Sequence, residues 1–286
     1  MASDMDKKLQ RRTLYVSDLD GTLLRSNERT SPYTNETINR LTRQGMLFSY
    51  ATARSIVTSK KVTHGINANI PLIVYNGAFV IHNATEEIMI SNYFDNSINT
   101  VFSELFKHNI YPIVYSYNHG KEQFSFIEDK CTRGMRLFLN NRKGDLRSNP
   151  VSTADELVNG DCFYITCIDE PELLAPFYLK YKDIFHCVYQ QDIYSKEQWL
   201  EIMPKAASKS NAILQLKDWL KCDRLVVFGD GKNDIDMFSI ADECYAVENA
   251  VCELKEKATA VIEGNDSDGV AKWLENNYDG TTCTKP

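Results

Sequence analysis

The sequence predicts an α/β protein, built on a doubly wound parallel sheet into which an α+β segment is inserted. Near both ends of the chain, short apolar strand patterns alternate with helical patterns, as in TLYVS (13–17), MLFSYAT (46–52) and RLVVFGD (224–230). Aromatic, partly alternating strand patterns fill the middle instead. At 286 residues the chain also exceeds what one hydrophobic core usually organises. We therefore expect two domains, with one large α/β unit as the alternative.

The first strand pattern, TLYVS, is followed by a helical one. Ile38 and Leu41 supply the apolar stripe of this helix. Thr34 or Asn35 can cap its start, and Gly45 can end it. The second strand, MLFSYAT, comes next and again ends in small polar residues.

The alternation then continues along the chain. A helix from about Ser55 leads to a third strand, PLIVYNG (71–77), and near the C-terminus KSNAILQLKDWL (209–220) is a helix before RLVVFGD. Two further strands, CYAVENA (244–250) and ATAVIEGN (258–265), flank a short helical stretch. Strands joined by helices in this way form a parallel sheet, whose ligand site lies beyond the carboxyl ends of the strands.

The middle of the chain has a different residue pattern. Its strand patterns include YPIVYSYN (111–118), EQFSFIE (122–128), CFYITCI (162–168) and FHCVYQQDIYS (185–195). We expect a first core segment in 1–82, an inserted α+β domain in 83–203 and a second core segment in 204–286.

Composition limits the partners and the compartment. The formal net charge of -7 argues against a nucleic-acid or anionic membrane surface, because both need clustered Lys and Arg. The N-terminal stretch lacks the apolar core of a signal peptide, and no apolar run approaches membrane-spanning length. Eight cysteines without a CxxC pair or zinc spacing predict reduced thiols. We expect a cytoplasmic protein, and nothing indicates a protein partner.

Two carboxylates stand at the mouth of the first apolar strand. Asp18 and Asp20 repel each other there and resist desolvation, so they need a cation, a shared proton or water. Polar residues follow other strands at the same predicted sheet edge: Thr52 after the second strand, and Asp230 and Asp234 in GDGKND. Oxygen-only ligands favour a hard cation, above all Mg²⁺.

These residues suit phosphoryl transfer, which requires positioning and charge neutralisation. Asp18 is the candidate nucleophile, and Asp20 the general acid and then base. Thr52 and the amides after it would bind phosphate oxygens, which Lys209 would neutralise. Asp230 would ligate the metal. The candidate metal ligands are Asp18, Asp20, Asp230 and Asp234, and the candidate substrate contacts are Thr52, Ala53, Arg54, Asn76, Lys209 and Asn233.

Other interpretations of these motifs fit the sequence less well. A calcium loop starting at Asp18 would have Leu23 and Arg29 where an EF-hand requires Gly and Glu. GDGKND lacks the spacing of a P-loop. Lys205 competes with Lys209 as the site cation, and Lys209 is preferred because Ser208 can cap the helix and place it in the first turn.

Four stretches resemble the ordered motifs of the haloacid dehalogenase superfamily: DLDGTLL, YATARS, the lysine of ASKSNAI, and GDGKNDIDMF. In detail they look like its Cof-type phosphatases, which carry a large C2 cap between the second and third motifs. The resemblance implies a Rossmann-like core, an α+β cap, Mg²⁺ dependence and hydrolysis of small phosphate monoesters. It also implies that the backbone carbonyl of Asp20, rather than its side chain, ligates the metal.

Weaker similarity to this family extends to VYNGAFV, AVENA and NDSDGVA, which draws in Asn76, Asn249, Asn265 and Asp268. Ala53 departs from the family pattern, which usually has glycine there. Its methyl group is harmless if the local φ is negative, and crowds the phosphate loop otherwise.

The primary hypothesis is a Mg²⁺-dependent phosphatase of small phosphorylated metabolites, with sugar phosphates as the expected substrates. A phosphomutase or phosphotransferase shares the first half-reaction and is the alternative enzyme. A non-catalytic phosphate-ligand binding or regulatory protein is the alternative from another class. Tyr115, Tyr117 and Phe124 are aromatic residues of the inserted domain that could contact a sugar or a ring.

Overall fold

The computed structural model describes residues 12–67, 69–191 and 196–278. They form two compact units. One, which we call the core, contains the described residues up to Ser91 and from Ser208 onward, and the other, the cap, is Asn92–Ala207. The first boundary lies beyond the expected one, after residue 82, because a strand ending at Ser91 still belongs to the core sheet. The second lies after Ala207 instead of after residue 203.

The first core segment contains five strands and two helices. They are β1 (Thr13–Asp18), α1 (Pro32–Arg43), β2 (Leu47–Ala51), α2 (Ile56–Val62), β3 (Pro71–Val74), β4 (Phe79–His82) and β5 (Ile88–Ser91). Strand β1 is buried from Leu14 to Asp18, which explains its uninterrupted apolar sequence.

The cap is a sheet with helices. Its elements are α3 (Ile98–Lys107), β6 (Ile113–Asn118), β7 (Lys121–Ile127), α4 (Arg133–Asn140), β8 (Ser148–Val151), α5 (Ala154–Leu157), β9 (Asp161–Asp169), α6 (Pro171–Tyr181), β10 (His186–Gln191) and β11 (Gln198–Met203). The strand order is β10-β11-β9-β6-β7-β8, and only the β7–β8 pairing is parallel. Apolar residues of α3 and α6, including Leu105 and Leu174, pack in one cluster with Ile165 and Leu200 of this sheet.

The second core segment returns to the first sheet. Its elements are α7 (Lys209–Trp219), β12 (Arg224–Gly229), α8 (Ile235–Ile240), β13 (Glu243–Val247), α9 (Cys252–Lys255), β14 (Ala260–Ile262) and α10 (Gly269–Asn277). The strand order of the core sheet is β14-β13-β12-β1-β2-β3-β4-β5. Its strands are parallel from β14 to β3. The chain leaves β1 toward β2 and later places β12 on the other side, so the sheet order reverses at β1. The predicted fold class is confirmed.

Several local expectations need correction. The cap of α1 is Ser31, whose side chain accepts a hydrogen bond from the Thr34 amide at 3.0 Å, rather than Thr34 or Asn35. The helix begins earlier because Pro32 can occupy its first turn without losing a hydrogen bond.

The antiparallel hairpin β4–β5 was not predicted, since its short strands do not differ in pattern from the inserted segment. Residues 192–195 of the expected strand FHCVYQQDIYS lie outside the described residues.

The seven cysteines in the described part of the chain are free thiols, as predicted. Cys283 lies outside it. Within the same residues, every helix is too short or too polar to cross a membrane.

Candidate active site

The carboxyl ends of β1 and β12 bring together carboxylates that are far apart in sequence. The two strands pair in parallel, with Ser17 opposite Phe228, so Asp18 and Asp230 emerge at the same sheet edge. Thr52 follows the neighbouring strand β2, whose last residue pairs with Asp18. The parallel sheet predicted from the alternation thus gathers these three residues, all within the core.

Lys209 forms the centre of the buried charge cluster. Ser208 caps α7 by accepting from the Asn211 amide at 3.1 Å, which fixes Lys209 in the first turn. Its Nζ donates to Asp18 Oδ1 at 2.5 Å and to Asp234 Oδ1 at 2.9 Å. The exposed fractions of Asp18, Lys209 and Asp234 are only 4%, 5% and 0%, so bulk water screens these contacts little.

Asp234 is held on both oxygens. Its Oδ2 accepts from the backbone amides of Asp230 at 3.0 Å and Gly231 at 3.1 Å, while Oδ1 faces Lys209. A carboxylate bound in this way shapes the GDGKND turn and orients Lys209.

Asp230 is positioned by the loop after β1. Thr22 Oγ1 donates to Asp230 Oδ1 at 3.0 Å. Gly21 has a φ of +76°, and a Cβ on it would lie 2.3 Å from Asp230 Oδ2, so only glycine fits between loop and carboxylate. The contact from Thr22 was not foreseen, and the only sequence signal for it is its place inside DLDGT.

The electrostatics of this cluster are unbalanced. Burial and the carboxylates of Asp234 and Asp230 raise the pKa of Asp18 well above its ordinary value, against the opposing effect of Lys209. Burial and Asp234 raise the pKa of Asp230 to about 6. Burial acts to lower the pKa of Lys209, but the charges of Asp18 and Asp234 outweigh it, so that pKa is raised. One buried ammonium does not neutralise three carboxylates.

This donor set fits a divalent cation. One oxygen from each of Asp18, Asp230 and Asp234 lies within 4.8 Å of the others, which makes this a group that could hold a metal ion. All three ligands are oxygens, as Mg²⁺ prefers, and a cation there would offset their repulsion. The side chain of Asp20 is not part of this group.

Asp20 instead faces Arg54. Arg54 Nε donates to both Asp20 oxygens, at 3.1 and 2.9 Å, and its Nη2 donates to Oδ1 at 2.5 Å. The same Nη2 reaches Glu28 Oε2 at 3.2 Å. The Asp20 side chain is 51% exposed, in contrast to buried Asp18. Arg54, predicted as a substrate contact, is thus engaged with the candidate acid and base, and Glu28 is a neighbour that the sequence did not suggest.

The loop after β2 is held by hydrogen bonds to the side chain and the carbonyl of Thr52. Thr52 Oγ1 accepts from the Arg54 amide at 3.1 Å, which leaves the hydroxyl hydrogen available for an acceptor. The Asn76 amide donates to the Thr52 carbonyl at 2.9 Å, and Asn76 itself is buried with a φ of +52°. Ala53 is exposed and is not among the residues with positive φ, so its methyl group imposes no backbone strain.

The other candidates from the sequence lie around the site. Asn249 Nδ2 donates to the Gly21 carbonyl at 2.7 Å, and Asn265 Nδ2 donates to the Leu24 carbonyl at 2.9 Å, so both hold the loop after β1. Asp268 accepts from Thr34 Oγ1 at 3.0 Å and forms an ion pair with Arg25 of the loop after β1. Asn233 is an exposed residue within the GDGKND turn.

Two residues of the cap that were predicted as possible ligand contacts are largely packed. Tyr115 and Phe124 are buried, with their ring centroids 5.8 Å apart. Tyr117 lies 5.8 Å from Phe163 by the same measure and is half-buried. Lys205 also lies in the cap, where its Nζ donates to the Asp183 carbonyl.

The fold and this site define the protein family and the enzyme class. The family model of haloacid dehalogenase-like hydrolases matches residues 15–274, which is most of the chain. The chain belongs to this family, and the enzyme class predicted from the motifs, a haloacid dehalogenase-type phosphatase, is confirmed.

Individual relatives are similar over nearly their whole length. A 5-amino-6-(5-phospho-D-ribitylamino)uracil phosphatase from Bacillus subtilis (strain 168) is 26% identical over 285 residues, covering 92% of this chain and 97% of that protein. A crystal structure from Thermotoga maritima matches with a TM-score of 0.76 and 24% identity, over 93% of this chain and 97% of that one. A sugar phosphatase of subclass IIB of the superfamily matches with a TM-score of 0.68 and 19% identity, over 92% and 98%. The two structures show that the fold is shared.

Proposed function

We propose that this protein hydrolyses small-molecule phosphate monoesters through a phosphorylated Asp18. The observation that carries the proposal is the buried Lys209 ammonium held between Asp18 and Asp234, with Asp230 beside them and Asp20 more exposed. A nucleophile, a cation and a separate proton-transfer group are the parts that this reaction requires.

The proposed reaction has two steps. A carboxylate oxygen of Asp18 attacks phosphorus, the bond from phosphorus to the ester oxygen breaks, and Asp20 gives its proton to the leaving alkoxide. A water then attacks the same phosphorus, Asp20 takes the water's proton, and inorganic phosphate leaves Asp18. Thr52 and Lys209 bind the phosphoryl oxygens and neutralise their charge.

Mg²⁺ is the proposed cofactor, with Asp18, Asp230, Asp234 and the carbonyl of Asp20 as its protein ligands. Bound there, it would shield the anionic phosphate from the carboxylates and so allow Asp18 to approach it. Ala53, Arg54, Asn76 and Asn233 are the remaining proposed substrate contacts. We also propose a cytoplasmic location, which rests on the composition and the free thiols.

Sugar phosphates are the proposed substrates. Two relatives support this choice: the Bacillus subtilis relative is named for a phosphorylated ribityl compound, and one structural relative is named a sugar phosphatase. The test is release of inorganic phosphate from a panel of sugar phosphates, pyridoxal phosphate and nucleoside monophosphates, with Mg²⁺ and with EDTA.

We expect release with Mg²⁺ and none with EDTA. Isomerised sugar phosphate in place of free phosphate, especially after addition of a bisphosphate activator, would indicate the mutase. Tight binding of phosphate esters without any turnover would indicate the binding protein.

The contact between Arg54 and Asp20 allows a prediction about proton transfer. In Arg54→Lys protein the bidentate contact between the guanidinium and the Asp20 carboxylate is lost, so the side chain of Asp20 is held less firmly for proton transfer. We expect kcat for an alkyl sugar phosphate to fall by about 10–100-fold, because an alkoxide leaving group needs the proton. Turnover of p-nitrophenyl phosphate should change little, since its leaving group is stable as an anion.

Comparison of the two esters separates this role from phosphate binding. An equal loss for both would mean that Arg54 contacts the transferred phosphate, as the sequence suggested. Glu28→Gln, which removes only the more distant partner of Arg54, is the control and should leave both rates nearly unchanged.

A further inference from the structure

A cavity adjoins the candidate active site within the core. Its volume is about 430 Å³, and it is lined by Ser26, Asn27, Glu28, Arg29, Arg54, Thr58, Lys61 and Val62. Arg54 belongs to both the candidate active site and the cavity, because its guanidinium contacts Asp20 and the residue also lines the cavity. Arg54 thus connects the candidate active site with this cavity.

The cavity is positively charged in an acidic protein. Three cations line it, Arg29, Arg54 and Lys61, against the single carboxylate of Glu28, whereas the whole chain carries a net charge of -7. Arg54 is already paired with Asp20 and Glu28. Within the described residues, neither Arg29 nor Lys61 forms an ion pair, so their charges face the cavity and solvent uncompensated.

The walls of this cavity are tied together. Arg29 Nη1 donates to the Lys61 carbonyl at 3.3 Å, and the Thr30 amide donates to the Val62 carbonyl at 3.2 Å. On the other side, Ser26 donates to Asp266 through its amide at 2.8 Å and its hydroxyl at 2.5 Å. These bonds hold the turn 26–29 against the end of α2, so the cavity is formed before any ligand arrives.

We propose that this cavity is a specificity subsite for a second anionic group of the substrate, a carboxylate or a second phosphate. Arg29 and Lys61 bind that group while the first phosphate reacts at Asp18. This inference rests on the proposed function and narrows its substrate class to phosphate esters with two acidic groups. The transferred phosphate has its own cation in Lys209, so the cations of the cavity are available to the rest of the molecule.

The test compares matched pairs of esters on the Mg²⁺-loaded full chain. One pair is 3-phosphoglycerate and glycerol 3-phosphate, which differ in a carboxylate; the other is fructose 1,6-bisphosphate and fructose 6-phosphate, which differ in a phosphate. We expect kcat/KM to favour the doubly acidic member of at least one pair by about 10-fold or more, as for hydrogen bonds to a charged group. Which pair shows the preference identifies the second group.

Substitutions then test whether Arg29 and Lys61 cause the preference for doubly acidic esters. Arg29→Gln/Lys61→Gln protein should lose it through a higher KM for the doubly acidic ester, while kcat and the singly acidic ester stay nearly unchanged. Lys60→Gln is the matched control, because Lys60 is adjacent in sequence but pairs with Glu86 outside the cavity lining. Glu28→Gln removes the opposing carboxylate and should increase the preference.

Calorimetric binding of the same pairs to Asp18→Asn protein repeats the comparison without turnover. If no ester is hydrolysed, the proposed function fails, and this binding comparison still decides on the subsite. Equal kcat/KM values, or equal binding, for both members of each pair would overturn the proposal of a subsite. So would an equal loss of preference in the Lys60→Gln control, since that would indicate a general field effect.

Discussion

Asp18→Asn protein is expected to release phosphate at least about 10⁴-fold more slowly than the unsubstituted protein, under saturating Mg²⁺ and ester. The amide is nearly the same size as the carboxylate but cannot attack phosphorus to form an acyl phosphate. The measurement is steady-state phosphate release. A burst of labelled phosphate trapped on the unsubstituted protein by acid quench, absent from the variant, would identify the intermediate directly.

The same substitution should not unfold the protein. Burial, Asp234 and Asp230 raise the pKa of Asp18 in the folded state, so its ionisation costs folding free energy above its ordinary pKa. Neutral asparagine lacks that cost, and Lys209 keeps Asp234 as its partner. We expect the Tm in EDTA to be unchanged or higher, and the rise in Tm on adding Mg²⁺ to be smaller. A lower Tm in EDTA, or turnover close to that of the unsubstituted protein, would contradict the assignment.

Lys209→Met should have the opposite effect on stability. Methionine fills much of the same volume but leaves the buried carboxylates of Asp18 and Asp234 without their shared cation. Removing one partner of a buried ion pair typically costs about 3–5 kcal/mol, which we expect as the loss in free energy of unfolding measured by denaturant titration in EDTA. Added Mg²⁺ should restore part of it. Loss of the cation near the phosphoryl oxygens should lower kcat by about 10²–10³-fold.

Lys205→Met is the matched control for this substitution. It removes a lysine that the sequence alone placed in competition with Lys209, but Lys205 is exposed and its Nζ donates to a backbone carbonyl of the cap. Its effect on stability should stay within about 0.5 kcal/mol, with kcat unchanged. Comparable losses in the two variants would argue against a special role for Lys209.

A double variant tests whether Asp18 and Lys209 act as a pair. Of the three side chains in this contact, only Asp234 remains charged in Asp18→Asn/Lys209→Met protein, so the loss of stability should be smaller than for Lys209→Met alone. Strictly additive effects would mean that the two side chains are not coupled, despite their 2.5 Å contact.

Local patterns were sufficient for the class of fold and for the identity of the motifs. The apolar run before Asp18 and the polar residues after each strand reflect burial on both faces of a parallel sheet, and burial is a property that sequence records directly. Ser208 before Lys209 likewise predicted the helix turn that holds the lysine. These features depend on neighbours a few residues apart.

The contacts that complete the site depend on strand order. Lys209 is 191 residues from Asp18 in sequence and meets it because β12 and α7 return beside β1. The pairing of Arg54 with Asp20, the support of Asp230 by Thr22, and the cationic cavity between the turn 26–29 and α2 likewise arise from loops that the sheet brings together. Sequence by itself therefore determined which residues are available for chemistry. Only the tertiary structure decided which of them share a proton, a charge or a cavity, because those interactions act over a few ångströms and not along the chain.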